Sequence, residues 1–270
     1  MTQLDTTIAN VALPHMQAAL GATPESVAWV LTSYIIAAAI ATPITGWLEA
    51  RFGRRLMYTT ALFMFTVSSA FCGMANSLEL MVVARLVQGT FGAFIMPLGM
   101  TILLDSSPVE KRQQSMLIWM GGAMLGPIVG PVLGGWITDN FDWRWVFLVN
   151  IPFGAVAVAL SWAMIRSPEQ ESRRFDLFGF VLLALGLGCL QLMLDRGTQK
   201  DWFESTEIII EASVAVSAFW MFAVHSFTAK SPLLPIGVFK DRNLIGATLI
   251  MFAGAGVVYG VAALFPPMLQ

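Results

Sequence analysis

Residues 115–137 read SMLIWMGGAMLGPIVGPVLGGWI and contain no charged side chain. A helix needs about 20 mainly apolar residues to cross the hydrocarbon core of a bilayer, and this stretch is long enough to do so. It has no regular alternation of apolar and polar residues, so it does not fit a strand of a transmembrane barrel. The stretch therefore predicts a membrane-spanning α-helix.

Eight further segments are mainly apolar and are joined by short polar connections. They cover approximately residues 1–13, 27–48, 57–74, 80–104, 145–165, 177–194, 208–224 and 244–264. Hydrophobic residues make up 57% of the chain and charged residues only 12%, with a mean hydropathy of +0.72. Soluble domains usually carry about 25% charged residues. We therefore predict an all-α, multi-pass transmembrane fold with the lipid bilayer as its main partner.

The composition also excludes several classes of function. The net charge is −2 and no dense basic run occurs, which argues against a nucleic-acid partner. The two cysteines and two histidines form no cluster with metal-ligand spacing, so neither a metal nor a cofactor is expected. We find no nucleophile–base pair and no phosphate-binding loop in the sequence, and we expect that the chain is not an enzyme.

Lysine and arginine are distributed unevenly among the connections. Alternate connections, starting after the second segment, contain Arg51, Arg54, Arg55, Lys111, Arg112, Arg166, Arg173, Arg174, Lys230, Lys240 and Arg242. The opposite set contains only Arg144, Arg196 and Lys200. Because positively charged loops remain in the cytoplasm, we predict a cell (inner) membrane protein with the first set on the cytoplasmic side.

The first segment, residues 1–13, is too short to cross a bilayer at about 1.5 Å per residue. The charge distribution nevertheless requires a span there. We therefore expect that the first half of this helix is missing, which would place Asp5 near the middle of the membrane. The alternative is that Asp5 caps a helix in a chain that begins at Met1. The sequence also stops soon after the ninth segment, so we expect a fragment of a longer protein.

A short connection, residues 46–55, reads GWLEARFGRR. Its glycines permit a sharp turn, and its arginines can pair with acidic groups or helix C-termini. The stretch resembles the signature loop of the major facilitator superfamily at Gly46, Leu48, Arg51, Gly53, Arg54 and Arg55. Ala50 replaces the acidic residue of that family, and Glu49 is the candidate substitute. The resemblance implies a cytoplasmic gating loop; the alternative is a generic positively charged loop.

Arg85 lies inside the fourth segment. A charge at the centre of a bilayer costs about 2.5–3.5 kcal/mol on insertion scales, and such residues usually mark a transport pathway. The alternative is that the side chain snorkels to the interface. Together with Gln88 and Gly89, Arg85 resembles the fourth-helix motif of the superfamily, in which the arginine is linked to proton translocation.

The fifth segment carries a repeat of small residues. Gly122, Gly126, Gly130 and Gly134 recur every four residues and share one helix face, which allows close helix contact. Pro127 and Pro131 remove backbone donors and are expected to kink the helix, and Gly135 adds flexibility at its end. The pattern resembles the antiporter motif of exporters in the superfamily. A plain helix-dimer face would explain the glycines but not both prolines.

Residues 4–14 read LDTTIANVALP and resemble the first-helix motif of the fourteen-helix drug:H⁺ antiporter family within the superfamily. A buried carboxylate such as that of Asp5 can exchange a proton near neutral pH. With the other motifs, the resemblance assigns proton coupling to Asp5 and Arg85.

The resemblance covers the whole chain and implies its organisation. Residues 1–165 would form the first six-helix bundle, residues 166–230 two inserted helices, and residues 231–270 the start of the second bundle. It implies proton-coupled export of drugs or other amphiphilic molecules, with H⁺ as coupling ion and, in a Gram-negative cell, a periplasmic adaptor protein as partner. The alternatives are a transporter of a narrower substrate, such as a siderophore, sugar or metabolite, or a non-transporting membrane sensor or assembly protein.

Overall fold

The computed structural model describes residues 1–165, 175–229, 231–234, 237 and 240–268, with side chains described up to residue 256. The regular structure in these residues is helical. Seven helical segments among them are long and apolar enough to cross a membrane. The prediction of an all-α, multi-pass membrane protein is therefore confirmed.

The helices follow the predicted segments in order. We name them α1 (Thr2–Leu20), α2 (Pro24–Val27), α3 (Trp29–Ala41), α4 (Thr45–Phe52), α5 (Arg54–Gly73), α6 (Leu78–Ser106), α7 (Arg112–Asn140), α8 (Trp145–Leu148), α9 (Asn150–Met164), α10 (Leu177–Arg196), α11 (Thr206–Thr228) and α12 (Arg242–Met268). Helices α2 to α4 form the second predicted segment, and α8 and α9 form the sixth. Four members of the predicted cytoplasmic set, Arg166, Arg173, Arg174 and Lys230, lie outside the described residues.

The extent of α1 corrects one prediction. The sequence predicted an apolar segment that ends near Leu13, whereas the helix continues through Pro14 to Leu20. Its length of 19 residues corresponds to about 28 Å. Met16, beyond the proline, is fully buried in the core around α1. Because packing outweighs the single backbone donor that Pro14 removes, the helix extends past the apolar run.

The helices pack in pairs. The main contacts join α1 to α7, α3 to α6, α5 to both α6 and α9, and α10 to α11. The buried residues form two clusters, one around Ile8 and Phe147 and the other around Phe65 and Leu98. Helix α10 also lies along α3, where Thr32 donates a hydrogen bond to Asp195.

The glycine face of α7 explains why α1 can approach so closely. A Cβ atom at Gly126 would lie 2.8 Å from Gln3 Cβ, and one at Gly130 would overlap the hydroxyl of Thr7. Gly134 lies against the backbone of Ile8. The fourth glycine of the predicted face, Gly122, has no such neighbour within 4 Å. The close contact with α1 therefore begins at Gly126.

Asp176 holds the start of α10 in place. Its Oδ1 accepts a hydrogen bond from the backbone N–H of Gly179 at 2.9 Å and lies 2.8 Å from Nε2 of His225 in α11. Its Oδ2 accepts one from the backbone N–H of Leu233 at 3.0 Å. Burial alone would raise the pKa of Asp176, but these hydrogen bonds outweigh it and hold that pKa below its ordinary value.

Candidate functional site

The structure brings Asp5 and Arg85 into direct contact. Arg85 Nη1 in α6 lies 2.6 Å from Asp5 Oδ2 in α1, and both side chains are 0% exposed. Arg85 therefore does not snorkel to an interface. Nor does Asp5 cap its helix, because α1 begins after Met1 with no side-chain capping bond. Removing two charges from water carries a large desolvation penalty, which only close pairing can offset, and the 2.6 Å contact supplies that pairing.

The remaining faces of the Arg85 guanidinium are mostly covered. Its Nε donates to the carbonyl oxygen of Val30 at 3.0 Å, and its Nη1 also donates to Gln88 Oε1 at 2.7 Å. The guanidinium lies 4.3 Å from the ring centroid of Tyr34, within the range of a cation–π interaction. Its Nη2 has no hydrogen-bond partner among the described residues. The arginine is thus fixed by α3 as well as by α1.

The second oxygen of Asp5 is held by two amides. Gln88 Nε2 donates to Asp5 Oδ1 at 3.0 Å, and Asn150 Nδ2 donates to the same oxygen at 2.7 Å. Asn150 lies in α9 and is almost fully buried. It also donates to Ser69 Oγ in α5 at 3.0 Å. The polar cluster of Asp5, Arg85, Gln88, Asn150 and Ser69, which we call the Asp5 cluster, joins side chains from four helices.

Sequence reasoning found three members of this cluster and missed Asn150 and Ser69. A signal was available for Asn150, because it is an amide inside the otherwise apolar sixth segment. Polar side chains in membrane helices commonly form hydrogen bonds between helices. The partner of such an amide, however, depends on which helices become neighbours.

Gly89 allows α6 to carry Arg85 up to α3. A Cβ atom at this position would overlap the backbone carbonyl of Tyr34. The backbones of α3 and α6 therefore approach within a distance that only glycine permits. One turn earlier on α6, Arg85 can then reach the carbonyl oxygen of Val30. The predicted fourth-helix residues thus divide into two polar side chains in the Asp5 cluster and one glycine that brings α6 against α3.

The predicted gating loop is a sharp turn between α4 and α5. Gly53 forms this turn with φ 83° and ψ 147°, a backbone conformation that favours glycine. Arg54 Nε then reaches Glu49 Oε1 at 2.6 Å, and its Nη1 reaches Asp105 Oδ2 in α6 at 2.6 Å. Glu49 therefore supplies a carboxylate to the loop although position 50 is alanine. Asp105 was not predicted.

The other predicted loop residues lie apart from this ion pair. Arg55 stacks over the ring of Trp162, with its guanidinium carbon 4.2 Å from the ring centroid, and Arg51 is exposed. A Cβ atom at Gly46 would meet nothing within 4 Å. On α7, Pro127 and Pro131 lie within one continuous helix, and Gly135 faces open space.

Comparison with known proteins identifies the family. The family model described as Major Facilitator Superfamily matches residues 1–270. This chain belongs to the major facilitator superfamily. The resemblance to this superfamily, the predicted fold class and the expectation that the chain is not an enzyme are thereby confirmed.

The relatives of this major facilitator chain include named export proteins. It is 42% identical over 272 residues to the "Multidrug export protein EmrB" of Haemophilus influenzae, covering 100% of this chain and 53% of that protein. The Escherichia coli K12 protein of the same name is 38% identical, with the same coverage. The "Fatty acid resistance protein FarB" of Neisseria gonorrhoeae is also 38% identical, covering 100% and 54%. The chain spans about half the length of the curated relatives it matches.

A solved structure shows the same fold. It is a bacterial homolog of the human lysosomal transporter Spinster in an inward-facing, unoccupied conformation, with a TM-score of 0.50 and 16% identity. The match covers 88% of this chain and 64% of the other. At this identity the likeness concerns the fold alone.

Proposed function

We propose that this chain forms the front half of a proton-coupled exporter of drugs or other amphiphilic small molecules. The observation that carries the proposal is the fully buried Asp5–Arg85 pair. An ion pair of this kind inside a membrane bundle is costly and typically serves ion movement. The names of the relatives, which are export and resistance proteins, support the direction of transport.

The pair can couple proton movement to a change of structure. While Asp5 is ionised, its charge balances that of Arg85. A proton on Asp5 leaves the arginine charge without a buried counter-ion, which is strongly unfavourable. The protonated state therefore favours an arrangement in which α1 and α6 move apart or water enters. Release of the proton restores the pair, so one proton can be exchanged for one step of export.

Two further motifs are assigned roles on the same basis. We propose that Arg54, with Glu49 and Asp105, closes the cytoplasmic end and that this cluster, of which only Asp105 is exposed, opens when the bundles rock. The glycines and prolines of α7 support movement of α1, because α1 lies directly on Gly126, Gly130 and Gly134. These roles require the lysine- and arginine-rich connections to be cytoplasmic.

The wider organisation is also a proposal. We assign residues 1–165 to the first bundle, residues 166–230 to two inserted helices and residues 231–270 to the start of the second bundle. The protein would lie in the inner membrane and, in a Gram-negative cell, would work with a periplasmic adaptor protein. Binding of substrate between two bundles near the bilayer midplane follows the usual design of such transporters.

The test uses a full-length transporter that contains this chain, reconstituted in liposomes. With an imposed pH gradient, we expect uphill export of a cationic dye together with proton flow in the opposite direction. Asp5→Asn should abolish both. The matched control is Glu79→Gln, which makes the same chemical change at an exposed position of α6. Export against a gradient by the Asp5→Asn protein would refute the coupling role.

The same assay separates the alternatives. A transporter of a narrower substrate would move only one of several test compounds, such as a siderophore or a sugar, while still depending on the pH gradient. A non-transporting sensor or assembly protein would move neither compounds nor protons. Dye export in the absence of a pH gradient would contradict proton coupling but not transport.

A further inference from the structure

Asn150 is held by two helices other than the one that carries the ion-pair arginine. It begins α9, separated by one residue from the end of the short helix α8, and its side chain is buried together with that of Ser69 in α5. Ser69 Oγ donates to the carbonyl oxygen of Phe147 at 2.9 Å. The single hydroxyl proton is therefore used, and Ser69 Oγ can only accept from Asn150. This fixes the amide so that Nδ2 faces both Ser69 and Asp5.

The two amides on Asp5 Oδ1 differ in what controls them. Gln88 lies on the same helix as Arg85. It accepts a hydrogen bond from Arg85 while it donates to Asp5, so it contacts both members of the ion pair. Asn150 has no contact of this kind with Arg85 among the described hydrogen bonds, and it is fixed by α5 instead. Its anchor on Ser69 is therefore separate from the Asp5–Arg85 pair.

Each of these contacts to Asp5 is made by a donor. Arg85 donates to Oδ2, and Gln88 and Asn150 donate to Oδ1. Hydrogen bonds to a carboxylate favour its charged form over its protonated form. A proton on Oδ1 would point at an N–H group and would require one of the amides to turn away. The anchoring of Asn150 by Ser69 opposes that turn.

We propose that Asn150 is a positioning residue that sets how readily Asp5 takes up a proton, and that Ser69 acts by fixing the Asn150 amide. The inference rests on the proposed coupling role of Asp5 and deepens it. Through Asn150 and Ser69, helices α5 and α9 respond to the protonation state of Asp5, as Arg85 on α6 does. Release of the proton is favoured whenever α9 and α1 are in contact.

Other charged or titratable groups also face Asp5 and act in parallel. They are Arg85 on α6, Tyr34 on α3, Cys72 on α5 and the amino group of Met1. The two test substitutions described below, Asn150→Leu and Ser69→Ala, alter none of these groups. A change in proton uptake in those variants can therefore be assigned to the amide and its anchor.

The test measures protonation of Asp5 directly, with this chain in lipid nanodiscs. The carboxyl C=O band in infrared difference spectra is assigned to Asp5 by its absence in Asp5→Asn. Asn150→Leu keeps the branched shape of the side chain and removes the donors. Because a hydrogen bond to a charged group contributes about 1.5–3 kcal/mol, we expect Asp5 to take up its proton about 1–2 pH units higher. Ser69→Ala should give a smaller shift in the same direction.

A matched control separates positioning from packing. Ser161→Ala removes another buried polar contact between α9 and α5, the 3.0 Å contact between Ser161 Oγ and Thr59 Oγ1. We expect this variant to lose thermal stability without a shift in Asp5 protonation. The proposal is overturned if Asn150→Leu and Ser69→Ala behave in the same way as this control, with protonation equal to wild type at every pH.

The result is independent of the transport assay. If Asp5 protonation shifts as expected but the full-length Asp5→Asn protein still exports uphill, the coupling role fails while the positioning role stands. If Asp5→Asn abolishes uphill export but the two amide-side variants leave protonation unchanged, the coupling role stands and the positioning role fails. In the full-length protein, a supporting result is a pH profile of export displaced to higher pH by Asn150→Leu.

Discussion

Two arginines of this protein form ion pairs of the same length in different surroundings. Arg85 lies 2.6 Å from Asp5 with both side chains 0% exposed, whereas Arg54 lies 2.6 Å from both Glu49 and Asp105, whose side chains are 19% and 56% exposed. Distance alone would make the two pairs equivalent. Burial separates them, because breaking a buried pair leaves an uncompensated charge, while an exposed partner is replaced by water.

The difference fits two tasks. The Asp5 cluster connects side chains of several helices away from water, so a single proton changes the balance of the whole cluster. The Arg54 contacts lie at a turn, and solvent reaches the Asp105 end, so the contact with Asp105 can open and close at a lower cost than the Asp5–Arg85 pair. We expect the buried pair to control the energy of the conformational change and the loop pair to close one end of the pathway.

The largest expected effect comes from removing Arg85. Arg85→Ala leaves Asp5 buried beside two amides and should lower the free energy of unfolding by about 3–5 kcal/mol. The measurement is unfolding of the detergent-solubilised chain by SDS, followed by circular dichroism. The double variant Asp5→Ala with Arg85→Ala should lose less than the sum of the two single variants. Simple additivity would show that the two charges do not interact, and the contrast with Arg54 would disappear.

A smaller effect tests the close contact between α7 and α1, the helix that carries Asp5. In Gly130→Ala the new methyl group would overlap Thr7, so we expect a loss of about 1–3 kcal/mol from overpacking. Gly122→Ala is the matched control on the same helix, because its methyl group meets open space. Its unfolding free energy should remain within about 0.5 kcal/mol of wild type. Equal stability of the two variants would contradict the observed α1–α7 contact.

Asp176 is an intermediate case, since it is largely buried and, among the residues that the structure describes, has no permanent cation as partner. Asp176→Ala removes the cap of α10 and should cost about 1 kcal/mol at neutral pH. Because folding lowers its pKa, the ionised carboxylate stabilises the protein above the ordinary carboxyl pKa of about 4. That contribution is lost as the pH falls through the lower pKa of the folded state.

Unfolding curves of wild type and Asp176→Ala, recorded from neutral to acid pH, check this expectation. The difference between the two proteins should shrink at the acid end. A difference that stays constant with pH would assign the effect to the shape of the side chain instead of its charge.

The smallest effect is expected at the exposed end of the loop pair. Asp105→Asn should change the free energy of unfolding by about 0.2–1 kcal/mol, and added salt should reduce the difference because exposed charges are screened. Glu49→Gln should cost more, since Glu49 is better covered. If Asp105→Asn cost as much as Arg85→Ala, burial would not be what distinguishes the two arginines.

Much of the site was predictable because its residues are unusual for a membrane helix. Asp5, Arg85 and Gln88 are polar in apolar surroundings, and the glycines of α7 repeat at helical spacing. Asp105 and Ser69 gave no comparable signal. One lies at a helix end where charge is ordinary, and a serine can satisfy its hydroxyl within its own helix. Their roles become visible only through the neighbours that the fold supplies.

The sequence by itself determined the membrane class and the order of the helices, because the bilayer demands long apolar segments with internally satisfied backbones. It also predicted that Asp5 and Arg85 belong to one site. Only the tertiary structure decided that α1 extends to Leu20, that Glu49 pairs with Arg54, and that Asn150 reaches Asp5. Hydropathy is a property of one segment, whereas these contacts depend on how side chains from several helices meet.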